Sequence, residues 1–285
     1  MMAQSGDDSP MPIPSHPKFE KGERYTFIFR MDEEMKATGS PMGDWEMKNK
    51  IEQTWEFEVK KVSKDGRSRH EGVLKRVVVV ADMGPQGTME YDTDKPTGGQ
   101  MGKHFQGMLG TEITLEKDMS GDITSAKDAE VLQGHMFKKD AEYNGNHHLQ
   151  ESWNVLNAIP AEEVSSENSW ERKRVGTSFY PYLTDLQFEL GDSDGKWHWI
   201  NCVGQVQPNP NSIPTTEMGM KIDYEFTGEV SGKFQYDPGR KRMASGELSW
   251  NLAGDCNMLL PDGKKTTFPV TLLKVNSFNS NPITD

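Results

Sequence analysis

Apolar and polar residues alternate with period two along most of this chain. Between Ile51 and Val59, the residues Ile51, Gln53, Trp55, Phe57 and Val59 alternate with Glu52, Thr54, Glu56 and Glu58. That spacing predicts a strand with one buried and one charged face. Ser63-Lys64-Asp65-Gly66-Arg67 follows, and Asp-Gly supplies the positive φ of a tight hairpin. A return strand over 72–80, a turn at 84–87 and a strand over 88–92 complete a three-stranded antiparallel meander. Upstream, Tyr25, Phe27, Phe29 and Met31 mark a first strand. It is expected to pair with a strand over 47–62 across a Gly/Pro loop at 38–44.

The same signature recurs downstream. A hairpin is expected from 112–116 and 122–124 around Lys117–Gly121. Strand-like runs occupy 179–190 (broken at Pro181), 196–200, 221–234, 242–253 and 267–275, separated by Gly, Pro and Asp turns and by a Pro/Asn loop at 207–214. The period changes only in the middle. Within 133–160, Leu149, Trp153 and Leu156 fall on one helical face at i, i+4 and i+7. Pro160 is the expected stop. A helix start is also expected at 126–133, and a short helix or turn at 104–109.

The pattern predicts a mainly β fold, with α+β as the alternative. Antiparallel meander sheets form either two related β halves or a half-open barrel around a short helical middle. The predicted segments are a disordered lead-in (1–20), a first β half (21–132), a helical middle (133–165) and a second β half (166–285), the folded parts alternatively forming one continuous domain. Lys50-Ile51 leading to Gly66-Arg67, and Lys221-Ile222 leading to Gly239-Arg240, form the echo that suggests related halves.

Charge narrows the function classes. The net charge is −12, which leaves no basic surface for counterion release and argues against nucleic-acid binding. The short clusters Arg67-Ser68-Arg69, Arg172-Lys173-Arg174 and Arg240-Lys241-Arg242 are expected at solvated strand edges. No apolar run approaches a membrane span of about 20 residues, and the Pro-rich start has no signal-peptide core. The location is therefore cytoplasmic, or secreted and envelope-associated if a targeting segment precedes this sequence. Cys202 and Cys256 are the only cysteines, and spacing leaves two buried thiols or one disulfide equally open.

Few residues advertise chemistry. His147-His148, with His135 upstream, is a weak metal candidate, because adjacent histidines on a helix diverge by about 100°. Asp192-Ser193-Asp194-Gly195 resembles the start of a calcium loop but lacks the later ligands, so a β-turn is expected. Trp197 and Trp199 share a strand side, giving either a stacking surface or ordinary core, with His198 opposite. Glu56 and Glu58 have the spacing of paired catalytic carboxylates, but an outward strand face gives it too. No phosphate loop, dinucleotide fingerprint, serine elbow, zinc-protease motif or CxxC is present. No catalytic residue and no cofactor is assigned.

A family resemblance adds to this. Gly22-Glu23-Arg24-Tyr25, Gln53, Val59 through Asp65-Gly66, Tyr91-Asp92, Leu109-Gly110 with Leu115 and Gly121, and Ile159-Pro160 through Ser169-Trp170 resemble an uncharacterised family of bacterial envelope-type domains. The likeness spans about 22–278. Glu167-Asn168 stands where the family pattern has Gly-Asp, and no lipid-attachment cysteine lies near the start. The resemblance implies a secreted or envelope protein and transfers no catalytic residue. The expected function is non-catalytic binding of an apolar small molecule or a protein partner. Trp55, Phe57, Val59, Trp153, Trp197 and Trp199 are the candidate ligand residues. The inward stripe of the 51–59 strand either lines a cavity under the Leu149/Trp153/Leu156 helix or forms dry core. The alternatives are a hydrolase with an unadvertised acidic cleft and a structural or adhesive β module.

Overall fold

The computed structural model describes residues 16–82, 87–95, 105–129, 145–161, 168–176, 181–212, 214–217 and 220–283. Its strands are β1 (Arg24–Ser40), β2 (Gly43–Val62), β3 (Ser68–Asp82), β4 (Thr88–Asp92), β5 (Glu112–Lys117), β6 (Ile123–Lys127), β7 (Ser169–Gly176), β8 (Tyr182–Ser193), β9 (His198–Pro208), β10 (Thr215–Glu217), β11 (Met220–Asp237), β12 (Arg242–Leu259) and β13 (Lys265–Pro282). A helix, α1 (Gly145–Asn154), precedes β7. The strands form one antiparallel sheet in the order β6-β5-β3-β2-β1-β13-β12-β11-β9-β8-β7, with β4 on β3 and β10 on β11. The last strand thus pairs with the first, Phe29 opposite Phe278, which joins strands from both ends of the chain in one sheet.

The sheet is not closed, because β6 and β7 share no ladder. Side chains join these two edges instead. Asp122, immediately before β6, is paired with Arg172 and Arg174 of β7; its contact with Arg174 Nη1 is 2.8 Å. The segment from α1 to Ile159 fills the seam. Gln150 Nε2 and Asn154 Nδ2 donate to the Ile123 carbonyl at 2.7 and 2.9 Å, and Asn154 Oδ1 accepts from Ile123 N at 2.7 Å. On the other side, Trp170 Nε1 donates to Ala158 O at 2.9 Å. A sheet edge exposes unpaired backbone groups, and here polar helix side chains occupy those of β6.

The core follows strand parity. Trp55, Phe57 and Val59 are all buried, contributing roughly 1.5–3 kcal/mol each. They sit beside Leu74, Val77 and Val79 of β3. Trp153 brings α1 onto this face, its ring 4.7 Å from Phe27, 5.9 Å from Trp55 and 6.1 Å from Phe57. Leu149 and Leu156 are buried with it. Close ring packing uses glycine where it must: a Cβ at Gly72 would lie inside van der Waals contact of the Phe57 ring.

Several expectations are corrected. The loop expected at 38–44 is a turn of two residues, Pro41 and Met42, between β1 and β2; Gly39 and Gly43 at φ +67° and +87° let both strands run up to it. Ala126 and Lys127 lie in β6, not in a helix, where Ala126 faces the core. Helix α1 ends at Asn154, well before Pro160. Its end coincides with the use of the Asn154 and Asn157 side chains as partners for the 120–123 segment. Residues 16–20 of the expected lead-in are described, and Phe19 among them packs against the core. Two basic clusters are not solvated edges: Arg172 shares the inward parity of its strand with Trp170, and Arg242, at the start of β12 before a register shift at 243–245, is buried against Phe19 and Tyr25. Cys202 and Cys256 are buried thiols, not a disulfide.

Candidate ligand-binding site

A cavity of about 100 Å³ lies between α1 and the inner face of the sheet. Its apolar lining comes from Phe27, Phe57, Leu115, Ile123, Trp153 and Phe278. These residues converge because β1 is flanked by β2 and β13, which sets Phe27 opposite Trp55 and next to the Phe57 and Phe278 rings. Pro17 and Phe19 also line it, and the backbone of this segment is tied to the β11–β12 turn by Lys18 N donating to Arg240 O at 3.4 Å.

Two cations line the cavity, Lys117 at the end of β5 and Arg242 at the start of β12. No Asp or Glu is among its lining residues. The Lys117 ammonium sits 5.5 Å from the Phe19 ring centre, and the Arg242 guanidinium lies 5.4 Å from Phe19 and 5.7 Å from Tyr25. Glu23 meets Arg242 Nη2 at 2.5 Å, while Arg242 Nη1 is buried with no hydrogen-bond partner. Burial, with the nearby Arg242 charge, pushes the Lys117 amine down to about 8; Asp122 opposes this more weakly.

The Tyr25 hydroxyl is placed by a buried histidine. His70 Nδ1 is 2.9 Å from Tyr25 Oη, and His70 Nε2 is 2.8 Å from Ser68 Oγ. Burial, reinforced by Lys117 and Arg242, lowers the His70 pKa well below its usual value, so the ring is neutral. A neutral imidazole offers one N–H and one lone pair, which satisfies both hydroxyls. Burial raises the Tyr25 pKa. Ser68 is itself buried, so the Ser68–His70–Tyr25 chain acts as a support behind the cavity wall.

The residues expected to bind a ligand divide into three groups. Phe57 and Trp153 line the cavity. Trp55 and Val59 are core beside it. Trp197 and Trp199 lie on the opposite face. The expectation of core for this pair is corrected, because His198 and Ile200 hold the inward positions of β9. The outward indoles are covered by lysines, Lys196 at 4.7 Å from Trp197 and Lys233 at 4.3 Å from Trp199. His147 and His148 fall in α1, but their side chains, like His135, lie outside the described residues. Among the described residues, no three His, Cys, Asp or Glu side chains group to hold a metal. Asp194 forms a β-turn, accepting from Lys196 N and Trp197 N at 3.0 and 2.7 Å. Glu56 and Glu58 stay on the outer face, paired with Lys75 at 3.2 Å and Lys60 at 2.7 Å.

The acidic-cleft alternative requires a carboxylate with a raised pKa. Among the described residues the displaced carboxylates, Glu34, Asp65, Asp92, Asp122 and Asp194, are all held below their usual range. At Asp122, burial pushes upward, but Arg174, Arg172 and Asn157 together outweigh it.

Residues 65–239 match the model of a family described as a family of unknown function (DUF6263). The chain belongs to this family. The matched stretch covers β3 through β11 and contains α1 and Lys117, whereas Phe19, Tyr25 and Arg242 lie outside it. The likeness read from the sequence, to an uncharacterised domain family, ran wider, over about 22–278. No curated protein matches the chain. Among solved structures, one of lipovitellin, described for its lipid–protein interactions, aligns at 11% identity over 93% of this chain and 25% of its own, with a TM-score of 0.54. This DUF6263 chain therefore spans about a quarter of that lipovitellin chain, and the likeness is one of fold. An outer membrane channel from Pseudomonas putida F1 aligns at 7% identity over 94% of this chain and 98% of its own, with a TM-score of 0.31. That score carries no argument. No helix among the described residues is long and apolar enough to cross a membrane.

Proposed function

We propose that this protein is a non-catalytic binding protein that holds an apolar small molecule between α1 and the inner face of its sheet. The observation that carries the reading is the cavity between Phe27, Phe57, Phe278 and Trp153, with Phe19 also in its wall. Ligand sites combine an apolar lining with a few placed polar groups, and Lys117, Arg242 and Tyr25 supply those here. The fold likeness to a segment of lipovitellin, a protein described for its lipid–protein interactions, supports the reading. The cavity is smaller than the engineered apolar cavity of about 150 Å³ that admits benzene. A short chain or the tip of a longer one fits, and larger ligands require Phe19 to move.

Titration calorimetry with octanol, with native mass spectrometry of the purified protein, tests this. One octanol bound per chain is expected, competed by any apolar molecule that co-purifies. No octanol binding and no co-purifying molecule would overturn the reading. A secreted or envelope location belongs to the same proposal and follows the family resemblance. Fractionation of the natural host checks it, with recovery in the cytosol as the contrary result.

A further inference from the structure

Building on the binding reading above, we propose that the ligand is an anionic amphiphile with a carboxylate head, seated between Lys117 and Arg242, its chain running under Trp153. Three observations carry this. The cavity wall holds two cations and no Asp or Glu. Glu23 occupies only the Nη2 side of Arg242, and Nη1 is buried without a hydrogen-bond partner. Lys117 makes no ion pair among the described residues, the nearby Asp122 being engaged by Arg172 and Arg174, and its ammonium lies over the Phe19 ring.

The charge balance at this spot is therefore one positive in excess: Lys117 and Arg242 against Glu23. A buried charge lacking a partner is costly, and a single carboxylate supplies what is missing. Its two oxygens accept from Arg242 Nη1 and from the ammonium. Tyr25 adds a third polar contact. When His70 Nδ1 carries the ring proton and donates to Tyr25 Oη, the tyrosine proton is free to point at the head group. The remaining wall is mostly aromatic and aliphatic, with Asn154, Asn157 and Ser280 as its polar members, which suits an alkyl chain better than a small polar anion. Phe19 lines the cavity and lies against both cations, so it covers the head-group position. The whole chain carries a net charge of −12. This local positive site therefore runs against the overall field, which favours a ligand whose apolar chain supplies most of the affinity.

The test compares octanoate, octanol and acetate by calorimetry at pH 7 on the full chain and on Lys117→Met and Lys117→Arg. A charge-assisted hydrogen bond contributes about 1.5–3 kcal/mol, so octanoate is expected to bind at least about tenfold more tightly than octanol. Lys117→Met should remove most of that preference, read as the ratio of octanoate to octanol affinity within each variant, and Lys117→Arg should keep it. Acetate should bind far more weakly than octanoate. Octanol binding as tightly as octanoate would overturn the carboxylate head while leaving the apolar cavity standing. Acetate binding as tightly as octanoate would overturn the amphiphile, since the chain would then contribute nothing. Failure of both eight-carbon ligands would overturn the binding reading together with this one.

Discussion

Replacing Lys117 by methionine should make the protein more stable at neutral pH, and the gain should fade as pH rises. The ammonium sits at the inner end of β5, and its pKa is pushed from 10.5 to about 8 by burial and by Arg242. Below pH 8 the amine is protonated in both folded and unfolded chains, and the folded state bears the whole cost of holding the charge. Between pH 8 and 10.5 the unfolded chain still binds the proton that the folded chain has released, so wild-type stability rises with pH through this window. At 1.36 kcal/mol per unit, a displacement of this size corresponds to about 3 kcal/mol. Methionine has a similar length and no charge, so Lys117→Met should be more stable by that order at pH 7, roughly 6 °C in Tm for a chain of this size. Urea unfolding of both proteins at pH 7, 8, 9 and 10 measures it. Tyrosines and thiols that titrate in the same range are common to both, so the difference between the two isolates Lys117. A difference independent of pH, or a wild type more stable than the variant at pH 7, would refute the reasoning.

Three further predictions concern the frame around the cavity. Asp122→Asn leaves Arg172 and Arg174, side by side on β7, without the carboxylate that meets them across the seam; a loss of about 3–5 kcal/mol is expected by denaturant unfolding. Because Asp122 is held below the usual carboxylate range, its contribution is present above pH 4 and lost in acid, so the gap between wild type and variant should close as pH falls toward 2. Trp153→Ala removes the ring that meets Phe27, Phe29, Trp55 and Phe57, at an expected cost of about 3–5 kcal/mol in unfolding and with loss of octanol binding. Gly72→Ala places a Cβ against the Phe57 ring; a loss of about 1–3 kcal/mol in thermal unfolding is expected, with weaker octanol binding as Phe57 is displaced into the cavity.

The strands could be read from the sequence because each alternates strongly enough to show its inner face without help from the rest of the fold. Trp55, Phe57 and Val59 emerge buried together, and the i, i+4, i+7 spacing places Trp153 over them. The polar part of the site was less visible. Lys117 follows Ile113 and Leu115 at intervals of two, which is an inward position, whereas a register shift between Met243 and Ser245 separates Arg242 from the alternation of Leu248 and Trp250. In both cases a cation at a strand end ordinarily reads as a solvated edge. What decides otherwise is Phe19, packed over both from nearly a hundred residues away in the one case and more than two hundred in the other. No local pattern carries that contact. Trp197 and Trp199 show the converse: their size suggests core, yet the parity of Ile200 and Cys202 already places them outside.

The same chain handles buried cations in two ways, and the contrast bears on what the cavity is for. At the seam, Arg172 and Arg174 meet Asp122, and Asn157 Nδ2 donates to that carboxylate at 2.7 Å. The arrangement joins two sheet edges and has an evident structural return. In the cavity, Lys117 and Arg242 share a wall with no carboxylate, whereas a buried guanidinium nitrogen without a partner occurs at both places, Arg242 Nη1 here and Arg174 Nε at the seam. An acidic residue at a neighbouring inward position, or an apolar residue in place of Lys117, would remove the cost without altering the strand pattern. A group that destabilises the fold and joins none of its elements is accounted for by something outside the chain. A carboxylate entering with its own alkyl chain offsets the charge and fills the cavity in one step. On the proposed reading, the cation that weakens the protein without ligand is the feature that most directly specifies that ligand.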